Sequence, residues 1–133
     1  MADTGSIPDG LHYTKDHEWV KEEEGLAVVG ITDHAQQALG EITYVELPTV
    51  GKSAARSDEL AVVESAKAAS DVYAPVGGTV KEVNEALEDM PETINADPYG
   101  AGWICKLEGY DSAELNDLLT AAEYKEFLES ESE

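Results

Sequence analysis

The chain has 133 residues, 42% of them apolar, which is material for one hydrophobic core and one domain. Its 29 acidic residues against 8 basic ones leave a net charge of −21, a surface that repels nucleic-acid phosphates and anionic membrane leaflets alike. A single cysteine, Cys105, excludes an intrachain disulfide and a Cys-x-x-Cys redox or zinc site, and the longest apolar runs, such as Leu26-Ala27-Val28-Val29, are too short for a membrane-spanning helix.

Residues 1–10 end in Pro8-Asp9-Gly10 and read as a tail with a turn, and residues 11–20 mix aromatic and charged side chains as one short edge strand. The acidic run Glu22-Glu23-Glu24 closes on Gly25 as a hairpin loop, because a β-branched strand over 26–31 follows it. Asp33 is the expected N-cap of a two-turn helix with Gln36 as its capping-box partner; Ala35, Ala38 and Leu39 form a small apolar face, and Gly40 takes the left-handed C-terminal position. Alternation over 42–47 predicts a strand stopped by Pro48, which has no amide hydrogen to donate. Residues 60–64 and 71–74 read as paired arms around a tip of small residues, and Pro75-Val76-Gly77-Gly78 turns the chain into a strand over 79–83. Residues 84–98 form a polar connection with one helical turn near Ala86-Leu87. A last strand over 102–108 places Trp103, Cys105 and Leu107 on one face and Ile104 and Lys106 on the other. Asp111 with Glu114 and Thr120 with Glu123 each have capping-box spacing. The two helices they start carry apolar stripes, Leu115, Leu118 and Leu119, then Tyr124, Phe127 and Leu128, so that 111–130 covers the end of a sheet. The class is mainly β: a sandwich or flattened-barrel hybrid with a short internal helix and C-terminal helices, forming one domain over 1–133.

The segment Val63-Glu64-Ser65-Ala66-Lys67-Ala68-Ala69-Ser70-Asp71 carries the chemistry. Lys67 stands at the tip of the predicted hairpin with only Ser and Ala beside it, so nothing bulky shields its amine. Among basic residues only lysine offers a primary amine for acylation, and the paired strands hold that amine in one place for a modifying enzyme. Read without its neighbours, Lys67 is one solvated lysine in a turn.

Its neighbours change that reading. Glu64-Ser65-Ala66-Lys67-Ala68-Ala69-Ser70-Asp71-Val72-Tyr73-Ala74-Pro75 resembles the lipoylation segment of the H proteins of the glycine cleavage system. His17-Glu18-Trp19-Val20, Gly30-Ile31-Thr32-Asp33-His34-Ala35-Gln36, Leu39-Gly40-Glu41, Val45-Glu46-Leu47-Pro48, Asn95-Ala96-Asp97-Pro98-Tyr99 and Gly102-Trp103 resemble that family in the same order, over residues 11–128. There are departures. Ala66 stands where the family usually has Val, Ser57-Asp58-Glu59-Leu60 replaces a glycine-bearing turn, and Ala38 occupies a position where some members carry a histidine.

The resemblance implies a lipoyl-domain-like fold and a carrier that is not itself an enzyme, with no catalytic residue and no metal. Lys67 is then joined by an amide to lipoic acid, and Glu64, Ser65 and Asp71 are the flanking residues that a modifying enzyme recognises. Glu18, with Asp71, is the candidate lining of a cleft that shelters the arm. The implied partners are the pyridoxal-phosphate glycine decarboxylase that loads an aminomethyl group, the tetrahydrofolate-dependent aminomethyltransferase that removes it, and the dihydrolipoyl dehydrogenase that reoxidises the carrier. A lipoate ligase, or an octanoyltransferase with lipoyl synthase, would install the group. Such a chain works as a monomer, in the cytoplasm if bacterial and in the mitochondrial matrix if it is a processed eukaryotic form. An H-like protein that donates lipoate to other complexes has the same attachment site. A lipoyl domain of a 2-oxo acid dehydrogenase or a biotin carrier domain is disfavoured by Ala66 and by the helical C-terminal segment, and an acidic interaction domain would leave Lys67 free. His12, His17 and His34 without paired cysteines make no metal constellation; His34 reads as structural or as part of a docking surface, and Cys105 as a buried small apolar residue.

Overall fold

The structure is a computed structural model and describes residues 7–131. The tail expected over 1–10 therefore lies outside the described residues as far as residue 6. What is described of it is pinned: Ile7 packs against a buried aromatic cluster, and the Tyr13 hydroxyl donates to the Pro8 carbonyl at 2.5 Å.

Among the described residues nine strands form two antiparallel sheets. The larger orders β1 (His12–Tyr13), β2 (Glu18–Glu23), β3 (Leu26–Ile31), β9 (Cys105–Glu108), β8 (Gly78–Val83) and β5 (Ser53–Ala54); the smaller orders β4 (Ile42–Glu46), β6 (Glu59–Ser65) and β7 (Ala69–Tyr73). No strand pairing joins the two sheets among the described residues, so they face each other as an open sandwich and the flattened barrel is not closed. Strand alternation builds two apolar layers. Ala27, Val29 and Ile31 of β3 face the inter-sheet core with Ile42, Val45, Leu60, Val63 and Val72, while Val28 turns outward to a second cluster with Tyr13, Trp19, Tyr124 and Leu128. Gly30 is required there: a Cβ at that position would lie 2.6 Å from the indole of Trp19, its cross-strand partner.

Several expectations hold, and others are corrected. The helix α1 (Asp33–Leu39) ends on Gly40 as predicted, but its N-cap is Thr32, whose hydroxyl accepts the Ala35 amide at 3.2 Å; Asp33 is the first helical residue and accepts from the Gln36 amide side chain. Residues 11–20 are not one strand. The Thr14 hydroxyl accepts the amides of Asp16 (3.2 Å) and Glu18 (3.1 Å) and folds a turn with His17 left-handed (φ 70°), which divides the segment into β1 and β2. Glu22 and Glu23 belong to β2, and only Glu24-Gly25 turn. The polar connection holds two one-turn helices, α2 (Ala86–Asp89) and α3 (Thr93–Ala96). Regular pairing of the last strand starts at Cys105, so Trp103 does not share a face with Cys105 and Leu107. It packs on the outer cluster, with the Lys106 ammonium over its ring at 5.1 Å, while Ile104 is buried in the inter-sheet core.

At the C-terminus α5 (Ala121–Glu131) packs Tyr124 and Leu128 onto the outer cluster of the larger sheet, whereas α4 (Ser112–Leu115) buries Leu115 in the inter-sheet core. Thr120 and Glu123 form the predicted capping box (2.9 and 3.2 Å). Asp111 caps α4 through the Ala113 amide, but Glu114 does not complete the box: its carboxylate instead accepts the Gly77 amide at 2.8 Å and ties the helix to the turn before β8.

Candidate cofactor-attachment site

Strands β6 and β7 pair Val63 with Ser70 and Glu64 with Ala69, leaving Ala66, Lys67 and Ala68 as the tip. Two groups of the chain close it. The Ser65 amide donates to the Ala68 carbonyl at 2.8 Å, and the Ser65 hydroxyl accepts the amides of Ala68 (3.2 Å) and Lys67 (3.4 Å). Ser65 therefore shapes the tip that it flanks. Ala66, Lys67 and Ala68 are all exposed, and the Lys67 stem passes beside Gly40, the residue after α1, with its Cε 3.6 Å from where a Cβ of Gly40 would stand. Glu64 is half-buried opposite Tyr44 of β4, and its carbonyl accepts the Thr43 hydroxyl at 3.3 Å; Asp71 is exposed on the other arm.

Glu18 has a different setting. At 2% exposure it is among the most buried charged side chains of the protein, and it ties the two sheets together: one carboxylate oxygen accepts the Thr14 hydroxyl (2.8 Å) and the other the Tyr73 amide of β7 (2.9 Å). Burial pushes its pKa up to about 7, against the pull of those two hydrogen bonds, so its proton titrates near neutrality. Glu18 also lines a cleft of about 290 Å³ with Thr14, Asp16, Arg56, Tyr73 and Asp117. The Arg56 guanidinium bonds Asp117 at 2.9 Å at this cleft, on an exposed pair. Asp71 is not among the lining residues, but its carboxylate lies 3.5 Å from the Tyr73 hydroxyl, and this negative charge raises the Tyr73 pKa.

The remaining candidates separate from the hairpin. The His34 ring packs 4.6 Å from that of His17, whose Nδ1 is 2.8 Å from the Tyr124 hydroxyl, so both histidines lie in the aromatic layer under α5. Cys105 is fully buried in the inter-sheet core, and burial pushes its thiol up to about 12. Among the described residues no group of three or more His, Cys, Asp or Glu is arranged to hold a metal ion. Reasoning from sequence missed Tyr73, Arg56 and Asp117 at the cleft; Arg56, the lone arginine, and Tyr73, within the lipoylation-like segment, carried a signal, and Asp117 carried none.

A family profile described as Glycine cleavage H-protein matches residues 11–131 of this chain. The chain belongs to the glycine cleavage H-protein family. It is 54% identical over 125 residues to the glycine cleavage system H protein of Alcanivorax borkumensis, covering 94% of this chain and 98% of that relative. A glycine cleavage system H protein of Thermus thermophilus is likewise 54% identical over 126 residues, covering 95% of this chain and 98% of that relative. The crystal structure of the H protein from Mycobacterium marinum matches with a TM-score of 0.81 and 42% identity over 89% of this chain and 95% of that one. The mainly β architecture of two open antiparallel sheets with short helices is thus the family's fold. Among the described residues no helix is long and apolar enough to cross a membrane.

Proposed function

We propose that this chain is a lipoyl carrier of glycine cleavage, with Lys67 as the amide attachment point, and that residues 1–133 act as one carrier domain. The observation that carries this reading is the tip itself: an exposed lysine between two exposed alanines, on a hairpin closed by the Ser65 hydroxyl and backbone bonds and therefore held in one place without any side chain standing over the amine. Ala66 in place of the family's usual Val leaves that geometry intact, since the tip makes no use of a larger side chain there.

Attached at Lys67, a lipoyl group would supply the dithiolane that accepts an aminomethyl fragment and two electrons. This chain's own residues present and shelter. Glu64 and Asp71, on opposite arms beside Lys67, give the modifying enzyme a charged frame to read. Glu18 holds a carboxylate at the wall of the cleft, near its midpoint of ionisation at neutral pH, where it can take up a positive charge as an anion or remain neutral in its absence. In this reading the chain carries an aminomethyl group from the pyridoxal-phosphate glycine decarboxylase to the tetrahydrofolate-dependent aminomethyltransferase and is reoxidised by dihydrolipoyl dehydrogenase. It catalyses no step itself and acts as a monomer. Its net charge of −21 favours basic docking faces on those enzymes.

The test is exchange of bicarbonate into glycine by a purified glycine decarboxylase. Lipoylated wild-type protein restores the exchange and unmodified protein does not; a lipoylated protein that leaves the decarboxylase silent would sink the shuttle role and leave donation of lipoate to other complexes.

A further inference from the structure

The segment Asn95-Ala96-Asp97-Pro98-Tyr99 carries no charge or nucleophile that the carrier reading uses, yet it grips α1 at both ends. At the start of the helix the Asp33 amide donates to the Tyr99 hydroxyl at 2.9 Å, and the segment is itself anchored to β2, where the Trp19 indole donates to the Pro98 carbonyl at 3.0 Å. At its end the Asn95 side-chain amide donates to the Gly40 carbonyl (2.9 Å) and to the Gln36 side chain (2.7 Å), while its oxygen accepts the Ile42 amide at the start of β4 (2.8 Å). One side chain thus clamps both sides of Gly40. Gly40 itself sits at φ 81°, ψ −157°, a conformation that glycine alone adopts without strain, and the Lys67 stem passes beside it, close enough that a Cβ there would lie 3.6 Å from the Lys67 Cε.

We infer that Asn95 is a positioning residue for the attachment site: by clamping Gly40 between α1 and β4 it fixes the surface on which the Lys67 stem lies, and so sets where the amine is presented. This deepens the carrier reading and rests on it only for the enzymatic readout. Asn95→Asp keeps the acceptor for Ile42, removes both donors and sets a second oxygen toward the Gly40 carbonyl. Asn84→Asp is the matched control, because the Asn84 amide donates to two carbonyls, Ala101 (2.7 Å) and Trp103 (2.8 Å), and to none of α1.

Two readouts separate positioning from simple destabilisation. In unmodified protein labelled at lysine ¹³Cε, Asn95→Asp lowers the order parameter of the Lys67 methylene toward that of an exposed strand lysine such as Lys81, and Asn84→Asp does not. With purified lipoate ligase and folded protein, lipoylation of Asn95→Asp slows by roughly threefold to tenfold, while Asn84→Asp, although it melts lower, is modified at the wild-type rate. An unchanged Lys67 order parameter in Asn95→Asp, an equal drop in both variants, or an unchanged lipoylation rate would each overturn the inference. If the methylene loosens as expected but wild-type protein accepts no lipoyl group, the seat stands and the carrier reading fails instead.

Discussion

The hairpin tip and the aromatic layer under α5 hold their functional groups by opposite means. At the tip, backbone hydrogen bonds and one serine hydroxyl shape three exposed small-residue positions, and the Lys67 side chain contributes almost nothing to stability. Under α5, a buried polar chain runs from His17 Nδ1 to the Tyr124 hydroxyl to Thr32 (2.8 Å each), roofed by the Tyr13 ring stacked 4.8 Å from that of Tyr124. The tip can therefore be altered chemically without loss of fold, which a site of covalent modification requires. The aromatic layer, in contrast, fixes the segments from which the cleft around Glu18 is built, and its side chains cannot be exchanged cheaply.

The largest expected effect lies in the aromatic layer. Tyr124→Ala removes a fully buried ring and strands the partners of its hydroxyl; it costs on the order of 3–5 kcal/mol in urea unfolding. Next is Glu18. Its folded pKa, near 7, lies above its ordinary value of 4.5, so between those limits the folded state binds more protons than the unfolded one, and stability falls as pH rises. Unfolding followed from about pH 4.5 to 7.5 loses on the order of 1–3 kcal/mol from this group, and Glu18→Gln removes that slope. A smaller gain is expected at Ser57, which holds φ 78° in the turn before β6; Ser57→Gly raises stability by about 0.5–1 kcal/mol on thermal unfolding. Smallest of all, Lys67→Ala leaves stability within about 0.5 kcal/mol of wild type, because an exposed stem that passes beside Gly40 has little packing to lose.

Much of this was legible in the chain. The β-branched run of β3, the small-residue tip and the reciprocal Thr120 and Glu123 spacing each state their structure locally, whereas the chemistry proposed for the tip rests on the resemblance carried by its neighbours. Elsewhere distant partners decided. Glu114 has the right spacing to bond back to Asp111, but the Gly77 amide competes for it from another element. The turn that divides β1 from β2 contains neither glycine nor proline and is made by the Thr14 hydroxyl, a bond that composition does not reveal. Glu18 could be named as a cleft residue, but not its burial or its role as a tie between sheets, because Tyr73 arrives from 55 positions along the chain. Asn95 belonged to a recognisable motif, yet its task depends on three distant partners, Gln36 of α1, Gly40 after it and Ile42 of β4.

The central claim, that the tip presents Lys67 as the acyl acceptor, is tested most directly by intact and peptide mass spectrometry of protein expressed with lipoate and its ligase, alongside Lys67→Ala. The account predicts a single lipoyl increment that maps to the peptide containing Lys67 and is absent from the variant. An unmodified wild-type protein, or an increment that persists in Lys67→Ala, would contradict it.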